Sequence, residues 1–141
     1  MMIAARVLNP GTAKGPVLVV EEPLSFWGAF DPLTGLIVDT HHPQRGARLA
    51  QRIVMMPETR GSGSASGSIA EAIRRGTAPL ALILMKPDVN LAVGSFIAAT
   101  LYGKSCPVLS VGASDYRRLA AATHLAIAED GSIASLMPPS I

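Results

Sequence analysis

A run made only of glycine, serine and alanine, residues 61–68, contains the groups in this chain that are best suited to chemistry. Its three glycines let successive backbone N–H groups turn towards one point. Ser68 and Glu71 fit a capping box, which predicts a helix that starts at about Ile69. Unpaired N–H groups and the dipole of that helix can bind an anion, and Arg60 at the entrance can bind a carboxylate or phosphate with two hydrogen bonds.

The same composition also fits a flexible linker. The flanking residues favour a binding site, because residues 52–56 predict a strand and residues 69–76 predict a helix with a short apolar face that ends at Gly76. A loop between a strand and a helix of one domain binds ligands more often than a linker does. The run has neither the Gly-Lys-Ser/Thr of a Walker loop nor the spaced glycines of a dinucleotide-binding loop.

Asp39 and His42 lie in a second polar cluster, just before Pro43. They could act as a base and its orienting carboxylate, or as two metal ligands. Adjacent histidines before a proline more often belong to a structural loop, and no third ligand with suitable spacing supports a metal. Cys106 is the only cysteine, which excludes an internal disulfide and a thiolate cluster and fits a reducing cytoplasm. Any metal would need most of its ligands from elsewhere.

The overall composition limits the kinds of partner. A length of 141 residues predicts a single domain, residues 1–141. A net charge of +2, with short arginine pairs that lack aromatic neighbours, argues against nucleic acid. The uncharged run 89–103 is shorter than the roughly 18–20 residues of a membrane span, and the N-terminus shows no signal peptide. Hydrophobic residues make up 49% and charged residues 16%, which predicts an apolar face covered by a partner.

The other segments predict α and β elements around a mixed sheet. Residues 79–85 form a continuous apolar run, as expected for a central strand covered on both faces. Residues 90–102 predict a helix that is apolar nearly all round, in which Gly94 allows a neighbour to approach closely. The aromatic segment 24–30 predicts a core cluster. Further strands are predicted at residues 3–8, 16–20, 36–38, 107–111, 124–128 and 132–136, and a helix capped by Ser114 at 114–122.

Several segments together resemble the swivelling-domain subunit of aconitase X-type dehydratases, over essentially the whole chain. The most specific part pairs Asp39-Thr40-His41-His42-Pro43 with Arg60-Gly61-Ser62 about twenty residues later. The Gly/Ser ending of that loop is similar to the bacterial branch, the cis-3-hydroxy-L-proline dehydratases, whereas the archaeal branch acts on phosphomevalonate. The other segments that carry the resemblance are Phe26-Trp27-Gly28, Asp31 with Gly35, Gly46, Pro57 to Thr59, Ala92-Val93-Gly94 and Cys106-Pro107-Val108.

The resemblance implies a three-layer β/β/α swivelling domain, the counterpart of the aconitase C-terminal domain. Such a domain docks on a larger subunit that holds an iron–sulfur cluster or iron on cysteines, and the active site forms between the two. The implied function is the small subunit of a cytoplasmic hydro-lyase that converts cis-3-hydroxy-L-proline into pyrroline-2-carboxylate. The family's serine base falls on Ser62, with Ser64 as the alternative. The implied substrate-binding residues are Arg60, Gly61, Gly63, Ser64, Asp39 and His42, and no metal ligand is expected in this chain.

The residues are consistent with that chemistry, and other functions stay open. A serine hydroxyl is a poor base, so its alkoxide needs concentrated positive potential, which Arg60, the loop N–H groups and the helix N-terminus could supply. One alternative is a phosphomevalonate dehydratase small subunit. Another is a non-catalytic domain that binds a small anion. A third is a phosphohistidine carrier that uses His41 or His42, although Pro43 fits poorly with the exposed helix start that such a carrier needs.

Overall fold

The computed structural model of the chain describes residues 2–60 and 63–136, which form a mixed sheet, a two-stranded hairpin and three helices. Each predicted strand and helix is present, but the first predicted strand is interrupted at Ala5. The strands are β1 Met2–Ala4, β2 Arg6–Asn9, β3 Ala13–Val19, β4 Phe30–Asp31, β5 Leu36–Ile37, β6 Ile53–Met56, β7 Ala81–Leu84, β8 Val108–Ser110, β9 His124–Ile127 and β10 Ser132–Leu136. The helices are α1 Ala65–Arg75, α2 Val89–Tyr102 and α3 Ala113–Ala120.

Four parallel strands form the centre of the sheet, in the order β3-β6-β7-β8. β6 and β7 pair along their whole length, from Ile53 opposite Ala81 to Met56 opposite Leu84. Every residue of these two strands is buried, as expected where layers cover both faces of a sheet. Alternate side chains therefore enter two separate cores.

Two stretches of chain pass from one part of the sheet to another. Residues 13–16 of β3 pair antiparallel with β9, whereas residues 17–19 pair parallel with β6. β1 and β2 are separated only by Ala5, yet β1 pairs with β10 and β2 pairs with β8, at opposite ends of the strand order. The antiparallel strands β1, β10 and β9 consequently fold over one face of the parallel strands.

The two cores define three layers. Between the two layers of strands, Ile53 and Met55 share a core with Ile3, Leu125 and Ile133 of the antiparallel strands. On the opposite face, the parallel strands share a second core with α1 and α2, through Val54, Met56, Leu82, Leu84, Ile69, Ile73 and Leu91. This is the predicted β/β/α arrangement.

The helix after the Gly/Ser run begins earlier than predicted. α1 starts at Ala65, and Ser64 before it makes no capping hydrogen bond to the helix with its side chain. Ser68 is buried within the helix, and its N–H donates to the C=O of Ser64 at 3.3 Å. Glu71 forms its ion pairs further along the helix. The predicted capping box is therefore wrong, because the small residues 65–67 continue the helix and allow it to pack closely on α2.

The other helix ends depend on local backbone conformation. Gly76 ends α1 with a φ of 81°, as predicted. The residue before α3 is Gly112, so the predicted cap at Ser114 is wrong. α3 begins at Ala113, which places Ser114 inside the first turn, where its side chain is not at the capping position.

Candidate active site

The Gly/Ser run lies where the parallel strands end. Their carboxyl ends share one edge of the sheet, and the chain leaves β6 at this edge to enter the run and then α1. The C=O of Pro57 accepts hydrogen bonds from the N–H groups of Met85 (3.1 Å) and Lys86 (3.0 Å), just beyond β7. The start of the loop is therefore held against the connection that follows the neighbouring strand.

A hydrogen bond between two side chains joins the loop to α2. Thr59 Oγ1 donates to Oδ2 of Asp88. The other carboxylate oxygen of Asp88 accepts from the N–H groups of Asn90 (2.9 Å) and Leu91 (3.2 Å), at the start of α2. One carboxylate thus caps α2 and holds the loop, a contact that the sequence reasoning missed.

Arg60 lies at the entrance of the run on a fixed backbone. Its N–H donates to the C=O of Leu24 at 3.1 Å, and Thr59 forms an isolated parallel bridge with Leu24. Leu24 is buried in the core, whereas Arg60 is exposed. An exposed guanidinium in this position can bind a carboxylate through two hydrogen bonds.

The other end of the run is held by the close packing of α1 on α2. A Cβ atom at Gly94 would lie 2.4 Å from the C=O oxygen of Ser66 and 2.5 Å from Cγ2 of Ile69. Only glycine fits at this position, which confirms the close approach predicted at Gly94. Ser66 Oγ also donates to the C=O of Gly63 at 3.2 Å. α2 therefore holds both ends of the run.

Three of the predicted site residues of this loop are described, and all three are exposed. Gly63 and Ser64 lie just before α1, and Arg60 ends the described stretch that follows β6. Gly61 and Ser62 lie outside the described residues, so the predicted base stays a prediction. α1 has no acidic residue in its first turn and has arginines in its last turn, so no carboxylate of its own offsets the positive potential at its N-terminus. The predicted role of these residues in binding a small anion stays a prediction.

Asp39 and His42 do not form a base with its orienting carboxylate. His42 is buried; its Nδ1 accepts from the N–H of Gln44 at 3.0 Å, and its Nε2 lies 3.2 Å from the C=O of Glu22. This pattern assigns the ring proton to Nε2, which donates to that carbonyl. Oδ1 of Asp39 accepts from the N–H of His41 at 3.0 Å. Asp39 stabilises its own loop and His42 also joins that loop to Glu22, and their predicted contribution to substrate binding stays a prediction.

An apolar groove that the sequence reasoning missed lies beside the first turns of α1. Phe26 and Phe30 are buried, with ring centroids 5.2 Å apart, as predicted for a core cluster. Trp27 is 62% exposed, so its assignment to the core is wrong: next to the inward-pointing Phe26, it points outward. Trp27 and Val38 line an open groove of about 560 Å³, whose opposite wall is the surface of α1 at residues 67–71. Its lining suits a hydrophobic contact better than an anion.

Comparison with known proteins decides the family. The profile of the Aconitase X swivel domain family matches residues 2–135. The chain belongs to this family. Among solved structures, Thermococcus kodakaraensis aconitase X in its holo-form matches 97% of this chain and 99% of the solved chain, with a TM-score of 0.81 and 26% sequence identity. The predicted swivelling-domain fold is confirmed.

The curated relatives of this aconitase X swivel domain include proteins of two very different lengths. Cis-3-hydroxy-L-proline dehydratase from Pseudomonas aeruginosa is 40% identical over 111 residues, which are 79% of this chain and 19% of the relative. The Hypocrea jecorina protein of the same name is 38% identical over 117 residues, 83% of this chain and 20% of the relative. Phosphomevalonate dehydratase small subunit from Methanothrix thermoacetophila is 33% identical over 135 residues, 94% of this chain and 98% of the relative. The chain thus spans about a fifth of the first two relatives and nearly all of the third.

The described residues of this aconitase X swivel domain do not fit an iron site. Within residues 2–60 and 63–136, no three His, Cys, Asp or Glu side chains are grouped so that they could hold a metal ion. Cys106 is buried, and burial raises the pKa of its thiol to about 12. The thiolate that binds iron is therefore disfavoured at this position near neutral pH.

Proposed function

We propose that this chain is the swivelling, small-subunit part of a hydro-lyase that dehydrates cis-3-hydroxy-L-proline to pyrroline-2-carboxylate. The family match over residues 2–135 carries the proposal. The 40% and 38% identity to two proteins named for that activity supports the choice of substrate. The position of the Gly/Ser run, at the carboxyl ends of the parallel strands and before the N-terminus of α1, supports a site for the substrate carboxylate.

In this proposal Ser62 is the base, and Ser64 is the alternative. The serine oxygen takes the proton from the α-carbon, and the electron pair left behind forms the carbon–carbon double bond as the bond to the 3-hydroxyl oxygen breaks. The leaving hydroxide takes a proton from the serine hydroxyl or from solvent and becomes water. Arg60 and the N–H groups of Gly61, Gly63 and Ser64 bind the carboxylate. They stabilise the negative charge that develops as the α-proton is removed, and this raises the acidity of that proton.

A larger subunit or domain completes the proposed active site. The resemblance to aconitase X implies an iron–sulfur cluster or iron, and the larger part would have to hold it, because the described residues of this chain do not fit a metal site. The proton transfer to Ser62 does not pass through that group. Asp39 and His42 would shape the site from the loop beside the end of β3, to which Gln44 is joined by a 2.9 Å hydrogen bond to the C=O of Val19.

A phosphomevalonate dehydratase small subunit is the second candidate. Its support is length, because the chain covers 98% of the Methanothrix thermoacetophila protein of that name, at 33% identity. In both candidates the Gly/Ser run binds an anionic group of the substrate and contains the serine base. The candidates differ in the substrate that the larger part of the enzyme binds. A domain that only binds a small anion is the non-catalytic alternative.

Assay of the chain together with its larger partner tests the proposal. We expect the assembled enzyme to convert cis-3-hydroxy-L-proline into pyrroline-2-carboxylate, and the isolated chain to be inactive because it lacks the rest of the site. Turnover of phosphomevalonate instead would favour the second candidate. Tight binding of a carboxylate or phosphate by the isolated chain, without turnover by the complex, would favour the non-catalytic alternative. Steady turnover of a 3-hydroxy amino acid by the isolated, metal-free chain would contradict an active site built from two parts.

We expect His42→Ala to affect stability more than catalysis. The change removes two part-buried hydrogen bonds, from the N–H of Gln44 and to the C=O of Glu22, which together stabilise the folded state by roughly 1–3 kcal/mol. The activity of the assembled enzyme should fall much less than in Ser62→Ala. Urea denaturation and steady-state kinetics measure the two effects, with Thr40→Ala, at an exposed position of the same loop, as the control. Loss of activity in His42→Ala with an unaffected Ser62→Ala enzyme would refute Ser62 as the base.

A further inference from the structure

α2 is apolar on the side that faces away from the protein. Its 14 residues include no charged side chain. One face, which includes Leu91 and Ala98, is buried in the core. The outward side chains recur at spacings of three and four residues, as on one face of a helix, and each is 41–69% exposed. They form the α2 stripe: Val89, Val93, Phe96, Ile97 and Leu101.

The other two helices have charged outer faces. α1 exposes Arg74 and Arg75, which pair with Glu71, and α3 exposes Arg117 and Arg118. A helix that is apolar all round is normally buried on all sides. In the described ranges, neither α2 nor any other helix is long and apolar enough to cross a bilayer. The α2 stripe therefore has the character of a protein contact surface.

The surface around the α2 stripe is concave on two sides of Phe96. One, of about 310 Å³, lies between α2 and residues 8–10 and includes Val89 and Val93 in its lining. The other, of about 400 Å³, lies along residues 9–12, and Phe96 lines both. An exposed aromatic ring between two hollows can enter a partner's pocket while the partner's side chains fill the hollows, as at the energetic centre of many interfaces.

The α2 stripe begins at the candidate active site. Val89 directly follows Asp88, whose carboxylate binds Thr59, two residues before the Gly/Ser run. A hollow of about 230 Å³, lined by Thr59 and residues 86–89, joins the two. A partner that covers the α2 stripe therefore reaches the entrance of the loop.

We propose that the α2 stripe is the surface on which the larger part of the dehydratase docks, which rests on the proposed function. In the Pseudomonas aeruginosa and Hypocrea jecorina relatives, the matched segment is 19% and 20% of the protein, so the remainder is a body large enough to bury the whole stripe. The partner surface that contacts the α2 stripe should be apolar and uncharged. It should lie beside the part of the active site that the larger body contributes. A second copy of this chain would instead bring two loop entrances together and supply no further catalytic group.

Charge placed in the α2 stripe tests the proposal. Phe96→Glu and Leu101→Glu should each weaken binding to the separately produced large aconitase X subunit of the same organism by at least about tenfold, measured as Kd by calorimetry, because a carboxylate would be buried in an apolar contact. Met2→Glu is the matched control, since Met2 is 73% exposed on β1 in the antiparallel layer. It should change Kd by less than about twofold, because an exposed side chain away from a contact carries little energy. Circular dichroism should show the same fold for all three variants.

The outcomes separate this proposal from the proposed function. Unchanged affinity in Phe96→Glu and Leu101→Glu would overturn the docking surface, and so would the absence of binding by the wild-type chain. A homodimer of the wild-type chain that Phe96→Glu dissociates, with the affinity for the large subunit unaffected, would overturn it as well. A complex that forms through the α2 stripe and dehydrates neither cis-3-hydroxy-L-proline nor phosphomevalonate would support the docking surface and refute the proposed function.

Discussion

We expect Ser62→Ala to lower kcat of the assembled enzyme by roughly 10²–10⁴, with only a modest change in KM. The substitution removes the group proposed to accept the α-proton, while Arg60 and the loop N–H groups can still bind the substrate carboxylate. The free energy of unfolding should be unchanged, because α1 is held by its packing on α2. Steady-state kinetics and urea denaturation of the same variant measure both expectations.

Exchange of the substrate α-proton with solvent isolates the proposed step. In deuterated water, the Ser62→Ala enzyme should label the α-carbon of cis-3-hydroxy-L-proline far more slowly than the wild type. Ser64→Ala and Ser66→Ala are the controls within the same run and should have milder effects. A larger effect in Ser64→Ala would move the base to Ser64. Exchange at the wild-type rate in Ser62→Ala would exclude that serine as the base.

We expect Gly94→Ala to destabilise the protein by about 2 kcal/mol, the middle of the range for inserting a methyl group into a packed core. The new Cβ would overlap the C=O oxygen of Ser66 and Cγ2 of Ile69, and the backbone oxygen cannot rotate away. α1 and α2 would have to separate. Because Ser66 follows the proposed base by four residues, kcat of the assembled enzyme should also fall. Urea denaturation measures the first effect, and steady-state kinetics measures the second.

Gly67→Ala is the matched control in the neighbouring helix. A Cβ atom at Gly67 meets nothing within 4 Å, and the residue lies inside α1. The same substitution should therefore stabilise the protein by up to about 1 kcal/mol, the difference in helix propensity between glycine and alanine. Equal changes in the free energy of unfolding for Gly94→Ala and Gly67→Ala would show that the contact at Gly94 is not tight.

The central strands could be predicted from the sequence, whereas the start of α1 could not. Residues 79–85 and 53–56 are short apolar runs, and covering both faces of a parallel sheet requires that composition. Ser68 and Glu71 match a local signal for a helix start, but α1 begins earlier, at Ala65, and its first turn packs closely on Gly94 through Ser66. That contact joins two helices, so no local pattern contains it.

The composition of the Gly/Ser run identified the candidate site, but not the contacts that hold it. The bond between Thr59 and Asp88 joins residues 29 positions apart, although an aspartate before a predicted helix is a capping signal that could have identified half of the contact. Leu24 and Phe26 are buried, whereas Trp27 is exposed in a turn formed by residues 26–29. Counting the aromatic residues of that segment as one cluster did not take this turn into account.

The strands that pass between the two strand layers leave this protein, in its described part, with very little free sheet edge. β3 changes partner strands between residues 16 and 17. The chain also changes partner strands at Ala5, between β1 and β2. Each strand segment at an edge of the sheet is therefore only three or four residues long. Longer unpaired strands can recruit another chain through backbone hydrogen bonds and start aggregates. This protein should therefore resist aggregation through strand pairing, even though its composition is apolar. Its partners must recognise side chains instead of adding a strand to its sheet.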